Sequence, residues 1–338
     1  EVVPDSGCGS WLFEPQSTNL ITYSEDFSQW SASNVVLTNN FASPDGASGA
    51  TLLSGNGTSS FSSLIRTLSA SGDVSYSLFV KKELSDEISL RLQGTDVGGV
   101  GSVNAVYTYT FSTNSFAAVS TGVAESFSAQ PLVDGWVRLQ LNFTSTTITI
   151  CRIYPTYGTA STDGVYIWGA QLEQQSYATS YIPTSGSTVT RNQDVCTNGG
   201  SLASINSTEG TLYAEIAALA NDLTRRRITI SDGTTNNRVN LFFENSSNTI
   251  RVFIKGVGGN DAMTYISSDI VQFNKVAVLY KDGNSSLWVN GVKRDTSITN
   301  FNLSNLSILD LSQAAGSGDN FFGKTKAVAV WKEALSDA

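Results

Sequence analysis

No histidine occurs among the 338 residues, which removes the most common general base, the Ser-His-Asp arrangement and most zinc sites in one observation. Cysteine is scarce as well: Cys8, Cys151 and Cys196 are too few for a disulfide framework and lack the paired spacing of a zinc site. Cys151 falls in an apolar run at 148–153 and is expected in a core. Cys8 and Cys196 bracket the first half of the chain and are read as reduced thiols, with a bond between them as the alternative. No stretch reaches the roughly 20 apolar residues that a membrane-spanning helix needs, so membrane insertion is not expected. Basic residues are also few, 20 Lys and Arg against 29 Asp and Glu. A nucleic-acid partner, which requires a clustered basic surface, is therefore not expected. The one tight basic run is Arg225, Arg226 and Arg227. Alternation sends neighbours on a strand to opposite faces, so this run reads as a solvated strand edge, with an anion site as the alternative. The glycine-rich stretch 94–101 (GTDVGGVG) opens no helix and carries no GxxxxGK pattern, which leaves nucleotide binding without support. With Glu1 first and Met263 the sole methionine, the chain is expected to be a processed product or a piece of a longer polypeptide.

What is abundant suits strands and turns. Hydrophobic residues make up 40% and charged residues only 14%, so polarity comes from Ser, Thr, Asn and Gly. Single cores stop growing near roughly 250–300 residues, so two domains are expected. Short alternating runs recur at 74–81 (VSYSLFVK), 88–92 (ISLRL), 103–111, 136–143 (WVRLQLNF), 146–153 and 165–172 (VYIWGAQL). A second series follows at 211–216, 226–231, 238–243 (RVNLFF), 249–254, 273–280, 286–289, 305–309 and 324–331. Asp232-Gly233, Asp282-Gly283 and Asn290-Gly291 are hairpin signals, because those residues tolerate positive φ between apolar runs. Only 332–338 reads as the start of a helix. The expectation is an all-β chain of two tandem β-sandwich (jelly-roll) domains, with a lead-in at 1–17 and domains at 18–195 and 196–338.

The stretch NLITYSEDFSQW at 19–30 resembles the opening strand of a module common in bacteriophage tail-fibre and structural proteins, and SPDG at 43–46, DGWVR at 134–138, VYIWGAQLE at 165–173 and TSYIPT at 179–184 follow in that module's order. The resemblance covers residues 12–190 and implies a jelly roll similar to galactose-binding-like carbohydrate-binding modules. From Glu209 the chain resembles concanavalin A-like, laminin-G-like sandwiches, through EGTLY at 209–213, LWVNG at 287–291 and FGKTKAVAVW at 322–331. Both folds host binders, enzymes and structural pieces, so function has to come from residues.

Glycoside hydrolysis needs only two carboxyl groups at a fixed separation. The Glu-x-Asp-x-x-Glu pattern of concanavalin A-like hydrolases does not occur, and strand acids such as Glu173 and Glu215 stand isolated, as structural acceptors. The chain is therefore read as a non-enzyme. A structural Ca2+ is compatible with both folds; Glu25, Asp26 and Asp319 are the candidate ligands, with Asp232 a further turn acid. The last strand of the first module lacks the acid that similar jelly rolls place before Glu173. Sugar binding would use aromatic faces, and Tyr154 and Tyr157, in YPTYG at 154–158, are the candidates because loop aromatics have less reason to be buried. Trp30 is read as structural. The function expected is a virion fibre or decoration protein that binds host-surface glycan, contacts other virion proteins and forms homotrimers by analogy. A ligand-free structural adaptor and a secreted bacterial carbohydrate-binding module are the alternatives.

Overall fold

A computed structural model describes residues 2–3, 9–96, 102–119, 126–314, 316 and 318–335. Cys8 lies outside the described residues, as do 97–101 of the glycine-rich stretch. The chain is all-β and divides into two compact units, Gln16–Asn192 and a second built from Glu1–Pro15 with Gln193–Ala338. The opening segment, expected as a lead-in, contributes the Ser10–Phe13 strand to that second unit, pairing Trp11 with Thr325 and Phe13 with Gly323. The helix expected at 332–338 does not form over 332–335, which is irregular, and 336–338 fall outside the described residues.

In the unit Gln16–Asn192, two long strands, Ser63–Lys82 and Trp136–Tyr154, pair antiparallel over nearly their full length. Their register breaks between Phe143 and Thr146 and again between Ile148 and Ile150, and each break adds a local bend. Neighbours change across the bend. The 136–143 half lies beside Ser126–Pro131 and the 146–154 half beside Glu87–Asp96, followed by Ser102–Thr110 and Ser115–Ala118. Residues 75–82 lie beside Gly164–Glu173, which continues to Ala50–Gly55 and Val35–Phe41. One sheet thus supplies both halves of a single core, in which Tyr76, Leu78, Val80, Leu139 and Leu141 join Ile88, Leu90, Leu92, Tyr107 and Ile153. Cys151 belongs to this core, and burial pushes its thiol up to about 12, which keeps it inert.

In the second unit a seven-stranded sheet containing Glu209–Ala218, Asn274–Lys281 and Gly323–Trp331 and a five-stranded sheet containing Arg226–Ser231, Arg238–Phe243 and Thr249–Gly256 share a core. Leu212, Ala214, Ile216, Val276 and Val278 of the first pack with Ile228, Ile230, Val239, Leu241 and Phe243 of the second. Asn290-Gly291, both at positive φ, joins Ser285–Val289 to Val292–Ser297 as the two-residue hairpin that its sequence predicts.

The basic run is not a solvated edge. Arg226–Ser231 lies between two partner strands, and Arg226 and Arg227 are 1% and 6% exposed. Such burial is tolerated because each guanidinium meets a carboxylate: Arg225 pairs with Glu244, Arg226 with both oxygens of Asp222 at 2.7 Å, and Arg227 with Asp319 at 2.7 Å. Arg227 also stacks over Phe242 at 4.2 Å. Burial opposes the charge of Glu244, but the Asn245 N–H and the Arg225 and Arg251 guanidinium groups outweigh it and hold Glu244 at about 2, below its ordinary 4.5. A depressed carboxylate stabilises the fold above its unfolded pKa, and that contribution disappears as pH falls from about 4.5 to about 2. The stability difference between parent and Glu244→Gln, read from urea unfolding, should therefore be large at pH 6 and shrink toward pH 2. A difference independent of pH would show that the carboxylate charge plays no part.

Candidate functional site

Alternation fixes which side chains leave the core of the unit Gln16–Asn192. Cys151 and Ile153 are core residues, so Ile150, Arg152 and Tyr154 occupy the reverse face of their strand. By the same rule Ser89, Arg91 and Gln93 line the reverse face of Glu87–Asp96, and Asn104, Val106 and Thr108 that of Ser102–Thr110. The register sets Tyr154 opposite Ser89, Arg152 opposite Arg91 and Ile150 opposite Gln93. Arg91 donates through Nε to Asn104 Oδ1 at 2.6 Å and through Nη1 to Tyr154 Oη at 3.2 Å. The Ser89 and Thr108 hydroxyls meet at 2.7 Å.

At the end of this face three rings form a corner. Tyr154 meets Tyr157 edge-on, with centroids 5.0 Å apart and planes at 89°, and Tyr157 meets Phe61 at 5.2 Å and 75°. The Gly158 N–H donates to Ser60 O at 2.8 Å and ties the two loops together. Of the two tyrosines expected to be exposed on a loop, Tyr154 instead ends the strand and is 1% exposed, because its ring is enclosed by Tyr157 and its hydroxyl is engaged by Arg91. Tyr157 is half-buried, and Phe61 is 54% exposed. Phe61, Arg91 and Arg152 were not singled out by the sequence. The alternation in ISLRL does send Arg91 off the core, but nothing local shows that Arg152 lies opposite it.

The motifs that carry the phage-module resemblance have a structural use. Glu173, fully buried, accepts hydrogen bonds from the hydroxyls of Ser17 and Thr179, the Thr179 N–H and the side-chain amides of Gln171 and Gln175. Asn19, also fully buried, donates to Ala170 O and Ile182 O and accepts from the N–H groups of Ile21 and Leu172. Trp30 is buried, with its indole N–H on Tyr23 O at 3.0 Å. These residues stitch residues 17–30 to the Gly164–Glu173 strand and to 179–184. A carboxylate saturated by donors in this way has no lone pair for proton transfer. Glu215 is half-buried, beside the Tyr213 hydroxyl.

The candidate calcium ligands are occupied by other work. Glu25 accepts from the Tyr181 hydroxyl at 2.9 Å, Asp26 caps the Phe27–Gln29 turn through Ser28, and Asp319, in the second unit, holds Arg227. Asp232 accepts from Thr234 and Asn237 within its own turn. Among the described residues no three His, Cys, Asp or Glu side chains converge as a metal ion requires. The second unit has a cleft of about 450 Å3 bordered by Thr197, Asn198, Gly233, Ile308, Asp310 and Gly316, none of them aromatic.

Residues 186–338 match the family described as the Concanavalin A-like lectin/glucanases superfamily. That places a concanavalin A-like β-sandwich in the C-terminal part of the chain. Among curated proteins no match is found. Similar solved structures include the Ruminococcus gnavus IT-sialidase CBM40 bound to alpha2,3 sialyllactose, at 15% identity over 39% of this chain and 79% of that one, with a TM-score of 0.34. Mouse laminin alpha1 chain domains LG4-5 are similar at 11% identity over 83% and 91%, with a TM-score of 0.29. Sheep galectin-11 is similar at 11% identity over 40% and 97%, also with a TM-score of 0.29. Likeness at this level carries no ligand over to this chain.

Proposed function

We propose that the chain is a non-catalytic carbohydrate-binding protein that seats a sugar ring on the Tyr157–Phe61 corner. The observation that carries this reading is the corner itself: two accessible rings set at 75° to each other, Tyr157 backed edge-on by buried Tyr154, beside side chains able to hydrogen-bond hydroxyls. Sugars present C–H faces for stacking and hydroxyls for bonding, and sites that recognise them combine both features. The concanavalin A-like match at 186–338, which lies outside the unit that carries the corner, supports only the carbohydrate side of the reading, since that family's description names lectins and glucanases. The non-catalytic part is supported by the lack of histidine and of a paired-acid motif. The resemblance of 12–190 to phage modules supports a place on a bacteriophage particle, as fibre or decoration, where the chain would grip host-surface polysaccharide and meet other virion proteins. A homotrimer goes with that reading, and light scattering should give about three times the 36.0 kDa chain mass.

The test is retention of the protein on a panel of bacterial surface polysaccharides. At least one should retain it, and Tyr157→Ala and Phe61→Ala should each weaken retention about tenfold, the size expected for a lost stacking contact. Retention unchanged by both substitutions would move the site elsewhere. Release of reducing sugar during the assay would overturn the non-catalytic reading.

A further inference from the structure

We propose that Arg91 and Arg152 form a subsite for the carboxylate of an acidic sugar, an inference that rests on the carbohydrate-binding reading and names the class of saccharide. The two arginines stand directly opposite each other on adjacent strands, an arrangement of like charges that weakens a sheet unless something offsets it. Nothing in the described protein does. Neither guanidinium has a carboxylate partner among the described residues, although the chain carries 29 acidic residues against 20 basic ones. The contrast with the second unit is direct, since Arg225, Arg226, Arg227 and Arg251 each have an acid there. On their other sides Arg91 is paired with Val106 and Arg152 with Ile65, and Ser89, Gln93, Asn104 and Tyr154 lie next to them on the shared face, all uncharged.

Two buried atoms on that face lack any hydrogen-bond partner in the protein, Arg152 Nε, a donor, and Gln93 Oε1, an acceptor. Arg226 and Arg251 also leave Nε without a partner, so what distinguishes this face is that, beside guanidinium groups with no carboxylate among the described residues, an orphaned donor and an orphaned acceptor lie together on it. The register places them one non-core pair apart, Arg152 with Arg91 and Gln93 with Ile150. A carboxylate can accept from the Arg152 and Arg91 guanidinium groups, and a turn of the Gln93 side chain would offer its Oε1 to a neighbouring hydroxyl. Inorganic phosphate can also meet these polar groups, but it has no ring to rest on Tyr157 and Phe61. The aromatic corner begins at Tyr154, opposite Ser89, so a sugar ring resting on Tyr157 and Phe61 can extend its acid group along the face toward the arginine pair. Both arginines are half-buried, which leaves the pair reachable and only partly screened by solvent.

The test is calorimetric titration of the full chain with a glucuronic acid tetrasaccharide, with its carboxyl-reduced glucose counterpart, and with inorganic phosphate. The acidic saccharide should bind at least tenfold more tightly than the reduced one, with the preference shrinking as NaCl is raised. Arg152→Gln and Arg91→Gln should each bring the ratio of the two affinities close to one. The thermal midpoint of Arg152→Gln should equal or exceed the parent's, because repulsion is relieved; this shows that the variant is folded. Equal binding of both saccharides by the parent would overturn the acid subsite and leave the carbohydrate reading standing. Binding of phosphate with neither saccharide, or of none of the three, would overturn the acid subsite, and retention on the polysaccharide panel then decides the carbohydrate reading separately.

Discussion

Glu173→Ala is expected to lower the unfolding free energy of the unit Gln16–Asn192 by about 4 kcal/mol, because it strands several buried donors at about 1–3 kcal/mol each, partly relieved by relaxation. The hydroxyls of Ser17 and Thr179, the Thr179 N–H and the amides of Gln171 and Gln175 converge on this one carboxylate. No cation pairs with it among the described residues, so the charge is balanced by dipoles alone. Glu173→Gln should lose about half as much, since it keeps the volume and one acceptor oxygen but turns an NH2 toward groups that are themselves donors. Urea unfolding followed by tryptophan emission reads the change, as Trp30, Trp136 and Trp168 lie in this unit. A loss below about 1 kcal/mol would show that the knot rearranges around the missing acceptor.

Gly94→Ala should be comparably damaging, at about 3 kcal/mol, through close approach of backbone. A Cβ at this position would lie 1.7 Å from Thr147 O and 2.7 Å from its carbonyl carbon, distances that no side-chain adjustment can relieve. The Glu87–Asp96 strand would have to separate from Trp136–Tyr154. Gly94 follows Gln93 and lies three residues from Arg91, so the same displacement should misalign the arginine pair and erase any preference for acidic saccharide. An Ala variant with parental stability would show that the two strands can part at little cost. The glycine that opens the GTDVGGVG stretch thus serves strand packing.

Strand period and turn chemistry made the all-β class and the Asn290-Gly291 hairpin readable, because both are local properties. The isolation of Glu173 pointed to a structural acceptor, and its five donors bear that out. What stayed hidden depends on which strands become neighbours. Alternation sends Arg91 off the core, but only the register brings it to Tyr154, 63 residues away, and sets Arg152 opposite. Tyr154, read as a loop residue within YPTYG, instead ends the strand, which runs through 154, and its ring packs edge-on against Tyr157. The run at 225–227 looked solvated because, although Asp222 lies only four residues before Arg226, the acids that meet Arg225 and Arg227 are Glu244 and Asp319, 19 and 92 residues away.

A crystal structure of the chain soaked with the glucuronic acid tetrasaccharide tests the central claim most directly. The prediction is one sugar ring against Tyr157 and Phe61, with its carboxylate between Arg91 and Arg152. A saccharide seated instead in the cleft beside Thr197 and Asp310, with the aromatic corner bare, would contradict it.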